Sequence, residues 1–149
     1  MSARSYANIS ESEMDEFLSE RGFLPVDIDG TKEKVYGRFH RSEEGIPLTV
    51  RVYTSIKDGS ARERGKDAIR VGVFMKDGDG EIKRVGGTKR VNRIKTWRKN
   101  LANRLDNWRD LLGPDCPHGH GPMVKRSGKY GEFYGCNSYP NCSHTKQVN

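Results

Sequence analysis

All three cysteines of the chain fall between residues 116 and 142, and this clustering constrains the fold more than any other feature. Cys116 opens the run Cys116-Pro117-His118-Gly119-His120-Gly121-Pro122, while Cys136 and Cys142 bracket Asn137-Ser138-Tyr139-Pro140-Asn141. Each run is a compact knuckle with a Pro and a Gly or Asn. Between them lies a stretch that reads as strand, turn, strand. Two tight turns joined by a β-hairpin are how a zinc ribbon brings four ligands around one tetrahedral ion. The second knuckle supplies Cys136 and Cys142. The first has one cysteine, and its expected partner is His120, because Cys116-x3-His120 leaves an imidazole room to reach back over Gly119. His118 is the next candidate and His144 the third. A Cys3His shell is closed, so it supports folding and does no chemistry. The competing reading is a metal-free hairpin that has lost a ligand. A segment as small as 113–149 rarely folds without a metal or a disulfide, which favours zinc. Clustered thiols of this kind also point to metal over disulfides, and to a reducing compartment.

The residues Cys116-Pro117, Gly121-Pro122-Met123-Val124, Arg126-x-Gly128-Lys129-Tyr130-Gly131-x-Phe133, Gly135-Cys136, Tyr139-Pro140 and Cys142 resemble the C-terminal zinc ribbon of type IA DNA topoisomerases. The resemblance covers residues 114 to 146, about a quarter of the chain, and its combined pattern is specific. It departs from the family at Gly119, where the family places its second cysteine. The resemblance therefore implies Cys116, Cys136 and Cys142 as ligands and leaves the fourth open. It also implies binding to DNA, mainly single strands, without cleavage.

The chain has 149 residues, enough for one modest domain and a small appendage, here drawn as an α+β basic domain over 1–112 and the ribbon over 113–149. It is 33% hydrophobic and 32% charged, so its core is small. Met1 to Ile9 contains no apolar run, so no secretory leader is expected. No stretch reaches the length of a membrane span. The expected location is cytoplasmic, nucleoid-associated or an equivalent reducing compartment. The net charge of +7 favours an acidic polymer as partner. That charge is concentrated in residues 51–112, with 17 Lys and Arg against 8 Asp and Glu, while residues 1–50 hold 6 against 10. A basic block beside a ribbon of this type points to nucleic acid.

Ser10 to Arg21 reads as a helix, with Ser10 and Glu13 forming a capping box and Met14, Phe17 and Leu18 on one face. Strand-like runs follow: Phe23–Ile28, Glu33–His40, Leu48–Ile56, Ala68–Met75 and Glu81–Val85. Alternation is clearest in the third, where Leu48, Val50, Val52 and Thr54 share a face. Short turns between most of them predict an antiparallel meander. Val91, Ile94, Trp97, Leu101, Leu105, Trp108 and Leu112 recur at three- and four-residue steps, which predicts a long helix over Asn92–Leu112 that ends at Gly113-Pro114. The expected fold is therefore an α+β meander flanked by an N-terminal helix and a long C-terminal helix, followed by the zinc ribbon.

Three functional readings follow. The first is a non-enzymatic nucleic-acid-binding protein that favours single-stranded DNA and assists replication, repair or recombination. Its contact residues are Arg62, Arg64 and Lys66 in the loop 57–67, Arg98 and Lys99 on the long helix, and Lys125, Arg126, Lys129, Tyr130 and Tyr134 in the ribbon. There the cations hold the backbone, and exposed rings stack on unpaired bases. In the ribbon, alternation sets Phe133 and Tyr134 on opposite faces, with Phe133 the expected core ring and Tyr134 the exposed one. The second reading is a metal-dependent nuclease built on Glu81-x-Lys83 with Asp67, whose carboxylates would hold magnesium. A three-residue motif in so charged a chain is weak. Asp77-x-Asp79 sits in a Gly-rich stretch and reads as a turn. The third is a docking module for a replication or transcription assembly. Size alone excludes a complete topoisomerase.

Overall fold

The computed structural model describes residues 9–42, 44–57, 60–61, 68–76 and 80–148. In chain order the elements are α1 (Glu11–Ser19), β1 (Leu24–Val26), β2 (Val35–Arg41), β3 (Pro47–Tyr53), β4 (Ile56–Lys57), β5 (Ser60–Ala61), β6 (Ile69–Lys76), β7 (Ile82–Val91), α2 (Trp97–Asp106), a 3-10 turn (Trp108–Leu111), β8 (Val124–Gly128), β9 (Gly131–Gly135) and β10 (Thr145–Gln147). Eight strands form one mixed sheet in the order β1-β2-β3-β6-β7-β8-β9-β10, and β4 pairs with β5 separately. No helix among the described residues is long and apolar enough to cross a membrane.

The N-terminal helix starts where the sequence places it. Ser10 Oγ accepts the Glu13 backbone N–H at 3.1 Å, which satisfies one of the donors a helix start leaves open. Met14 and Leu18 are buried, and Phe17 packs against Trp97 with ring centroids 5.3 Å apart.

The expected architecture is overturned in two respects. The sheet is mixed rather than an antiparallel meander, because β7 and β8 pair in parallel at Gly86↔Val124. Parallel neighbours need a crossover, and the connection through α2 and the 3-10 turn provides it. The long C-terminal helix is absent. Val91 closes β7, Ile94 makes an isolated bridge, and the α-helix occupies only Trp97–Asp106. It stops at Asn107, whose backbone N–H and Nδ2 both donate to the Asn103 carbonyl, at 3.1 and 2.8 Å, so the side chain caps the last turn. The tighter 3-10 turn then repeats every three residues. Its buried pair is Trp108 and Leu111, and Leu112 is only half-buried.

The chain divides into two compact units. One comprises Met1–Arg38, Arg51–Val71 and Lys89–Asn107, the other Phe39–Val50, Gly72–Thr88 and Trp108–Asn149. The first is built on apolar burial of Phe23, Val52, Ile69, Val71, Leu101 and Leu105, all with no exposed surface. It also contains a polar latch, in which the Arg70 guanidinium and the Ser55 backbone N–H both donate to the Glu33 carboxylate. In the second unit Gly86 takes φ +72, and a Cβ there would lie 1.9 Å from the Leu111 carbonyl oxygen. Only glycine permits that conformation and that approach of two backbones. The Gly86 N–H donates to the Met123 carbonyl at 3.1 Å, tying β7 to the chain that enters the ribbon.

Candidate metal centre

The ribbon closes through three local devices. Cys116 N donates to the Gly121 carbonyl at 2.9 Å, and Gly119 N to the Cys116 carbonyl at 3.1 Å, which fold the first knuckle around Gly119 (φ +80) and Gly121 (φ +84). Next, β8 and β9 pair from Val124↔Gly135 to Gly128↔Gly131, a hairpin with Lys129 and Tyr130 at its tip. That register sets residue 135 opposite residue 124, so Cys136 emerges beside the first knuckle. Finally, β10 returns along β9 with Thr145 opposite Gly135, and Cys136 N donates to the His144 carbonyl at 3.1 Å. The return brings Cys142 back to Cys136.

The result is a four-point donor set. One ligand atom each from Cys116, His120, Cys136 and Cys142 lies within 4.8 Å of every other. Cys116 Sγ is 3.7 Å from Cys142 Sγ and 3.7 Å from His120 Nδ1, and that nitrogen is 3.2 Å from Cys136 Sγ. A tetrahedral zinc with Zn–S near 2.3 Å requires sulfur–sulfur edges of about 3.8 Å, and nitrogen–sulfur edges of about 3.6 Å. The three separations scatter around these values, so the residues fit the ion. The four side chains offer soft sulfur and imidazole donors, a zinc set. The shell is also supported from outside, since Ser138 N approaches Cys136 Sγ at 3.3 Å, a backbone donor to the sulfur.

Burial pushes the Cys136 thiol up to about 11, while the hydrogen bond from the His144 backbone holds Cys142 below its usual range. Zinc entering the set therefore displaces at least the Cys136 proton. Cys116, Cys136 and Cys142, with Met123, are the buried core of the ribbon, and Tyr134 packs against them.

Of the three histidines weighed for the fourth position, the structure brings His120 into the set. His118 is exposed and His144 half-buried, and neither joins the set of four. Tyr130, at the hairpin tip, is 95% exposed, with Lys129 Nζ 5.6 Å from its ring centre. Tyr134 differs from the sequence expectation. It is half-buried against the ligand core, while Phe133 lies on the opposite face over Gly128. Opposite faces were expected, but Tyr134 is the ring packed on the ligand core, and both rings are half-buried. The reason is that the metal core lies on the Tyr134 side of β9.

The cations are also partly committed. Lys125 Nζ is 3.5 Å from Glu132, and Arg98 Nη2 is 3.6 Å from Glu13 while its guanidinium lies over the Trp97 ring. Lys99 is exposed on α2. Arg126 donates to the Cys136 carbonyl at 3.4 Å and lies 6.0 Å from the Tyr139 ring centre. Tyr139, not among the expected contact residues, is 61% exposed and lines a cavity of about 260 Å3 with Arg126 and Phe133. Its signal was the Tyr139-Pro140 dipeptide of the second knuckle. Arg62, Arg64, Lys66, Asp67, Asp77 and Asp79 lie outside the described residues. Glu81 precedes β7 and Lys83 lies within it.

The comparisons with known proteins concern the C-terminal region of the chain. A family described as "Topoisomerase DNA binding C4 zinc finger" matches residues 113–149. DNA topoisomerase 1 of Helicobacter pylori strain 26695 is 35% identical over 58 residues, which are 39% of this chain and 8% of that protein. DNA topoisomerase 1 of Methanothermobacter thermautotrophicus is 48% identical over 33 residues, 22% of this chain and 5% of that protein. The enzyme of the same name from Methanocaldococcus jannaschii is 41% identical over 34 residues, 23% of this chain and 4% of that protein. The chain thus spans less than a tenth of each of these relatives. No solved structure matches it. By its donor geometry and by these likenesses, the segment 113–149 is a zinc ribbon of the topoisomerase type, with a histidine completing a set that the family's description gives as four cysteines.

Proposed function

We propose that the chain is a nucleic-acid-binding protein without catalysis of its own, in which the ribbon favours single-stranded DNA. The observation that carries this reading is the match of residues 113–149 to a DNA-binding zinc finger whose ligand geometry is intact. The surface of the ribbon suits the role. Tyr130 stands almost fully exposed with Lys129 beside it, and Lys125 and Lys146 flank Tyr134 in register across β8, β9 and β10. An exposed ring such as Tyr130 stacks on unpaired bases, and lysines nearby hold phosphates.

Under this reading residues 113–149 select the strand, and residues 1–112 add electrostatic affinity through the excess of nine positive charges in 51–112. Lys99 and Arg126 belong to the contact set. Arg98, already opposite Glu13, contributes by exchanging that partner for a phosphate. Replication, repair or recombination in a reducing, cytoplasmic setting is the proposed context.

The test is equilibrium binding of the full chain to single-stranded DNA, duplex DNA and RNA over a range of salt. Tightest binding to single-stranded DNA is expected, with affinity falling steeply as salt rises. Tyr130→Ala should weaken single-strand binding by about 1–3 kcal/mol while leaving zinc content unchanged. Equal affinity for all three polymers, or an affinity indifferent to salt, would sink the proposal.

A further inference from the structure

Three of the four histidines of the chain gather at one side of the ribbon, yet only His120 is in the donor set. The His118 ring centre lies 5.9 Å from that of His144 and 6.2 Å from that of His120. Two imidazoles bound to one zinc at Zn–N of about 2.0–2.1 Å have ring centres on the order of 5–6 Å apart. The rings of His118 and His144 therefore stand at a separation one divalent ion can bridge. They line an open cavity of about 530 Å3 together with His120, Asn141, Cys142 and Ser143. Two of the four ligands, His120 and Cys142, open onto this cavity. The other two, Cys116 and Cys136, retain 2% and 1% of their surface. A second cavity, of about 260 Å3, also reaches Cys136 and shares Ser143 and His144 with the first, but its remaining wall includes Phe133, Tyr139 and the Arg126 guanidinium. A hydrated dication is repelled by that cation and gains nothing from the rings as ligands, so the polar mouth is its route.

We propose that His118 and His144 are a metal-transfer pair, which takes up divalent zinc at the mouth and passes it to His120 and the three cysteines. One nitrogen lone pair from each imidazole displaces a water from the incoming ion. In the handover His120 Nδ1 and the three sulfurs displace those imidazoles, and each thiol that becomes a ligand leaves its proton to water. The zinc stays divalent, and nothing is oxidised or reduced. Loss of zinc runs the same steps in reverse. This inference concerns the traffic of the metal and stands whether or not the nucleic-acid reading holds.

The experiment uses the zinc-loaded full chain and its His118→Ala/His144→Ala variant. Exchange of bound zinc for isotopically enriched free zinc is followed by mass spectrometry, and release to a coloured chelator by absorbance. The expected result is exchange and release at least tenfold slower in the variant, with zinc still at one per chain in both proteins. Unchanged or faster exchange overturns the proposal, because the rings are then bystanders or a shield. Zinc content well below one in the variant overturns it too, since the rings then belong to the structural shell. A second measurement does not depend on the variant. Cobalt(II) added to the zinc-loaded parent should broaden the ring-proton resonances of His118 and His144 before any others, and if those resonances stay sharp no pair binds metal there.

Discussion

The ribbon and the helix-backed unit solve the same problem with different materials. In the unit that contains α1 and α2, stability comes from apolar side chains, with Phe23, Val52, Ile69, Val71, Leu101 and Leu105 wholly buried. In the ribbon the buried core is Cys116, Met123, Cys136 and Cys142, three of them ligands, with Tyr134 packed alongside. One core is a volume of hydrocarbon and loses stability in increments as it is trimmed. The other is a single ion with four attachments and should be lost all at once. Small segments cannot bury enough surface to fold on hydrophobicity alone, which explains why the metal appears where the chain is shortest.

The largest effect that would sharpen this contrast is removal of the metal. Structural zinc in small peptides contributes about 10–16 kcal/mol of apparent folding energy. Chelation, or Cys136→Ser, should abolish hydrogen-exchange protection across β8 and β9 while leaving amides such as Val52 and Val71 protected. Equal loss in both places would break the comparison. Next comes the apolar core. Leu101→Ala should cost about 2–5 kcal/mol in denaturant unfolding, with zinc still at one per chain. Gly86→Ala should follow at about 2 kcal/mol or more, because it strains a left-handed backbone and drives a Cβ into the Leu111 carbonyl. Gly87→Ala is its control, as a Cβ there meets nothing within 4 Å. Ser10→Ala should remove the cap of α1 at about 1 kcal/mol, read as a shift in the denaturation midpoint.

The smallest effect is one of pH. Burial alone would raise the Glu33 carboxyl, but hydrogen bonds from Arg70 and the Ser55 backbone outweigh it and hold the carboxyl below its usual range. A group depressed in the folded state stabilises above its unfolded value near 4.5 and loses that stabilisation as pH falls through its folded value. Glu33→Gln should therefore flatten the acid limb of the stability curve and leave the ribbon's zinc content unchanged at neutral pH.

What was legible in the sequence was local. The knuckles could be read because ligand identity and turn chemistry sit within a few residues of each other, and the α1 cap because Ser10 and Glu13 are three apart. Alternation in β3 was visible because Leu48, Val50 and Val52 are buried while the residues between them are half-buried. The long helix was misread for a physical reason. An apolar residue every three or four positions is compatible with the end of a strand, a bridge, an α-helix and a 3-10 turn in succession, and Val91 to Leu111 contains all four. The structure buries Arg93, with only 1% of its surface exposed, where an amphipathic helix of that register would have turned it to water. The strand expected to end at Val85 runs on to Val91, and Gly86 within it is the point where a second backbone comes close. Parallel pairing of β7 with β8 joins residues 38 positions apart, and nothing in either strand announces it. The inward turn of Tyr134 likewise depends on which side the metal lies.

The two ends of the sheet bear on how copies of the chain behave when crowded. β1 and β10 are its outermost strands, and each is three residues long with every side chain exposed. β1 carries Pro25, which has no N–H to offer a further strand, and β10 carries Lys146, whose charge resists stacking against its own kind. Copies of a chain at high concentration meet edge to edge wherever a sheet margin is left open. Short, proline-bearing and charged margins let such copies sit side by side without knitting into a continuous sheet.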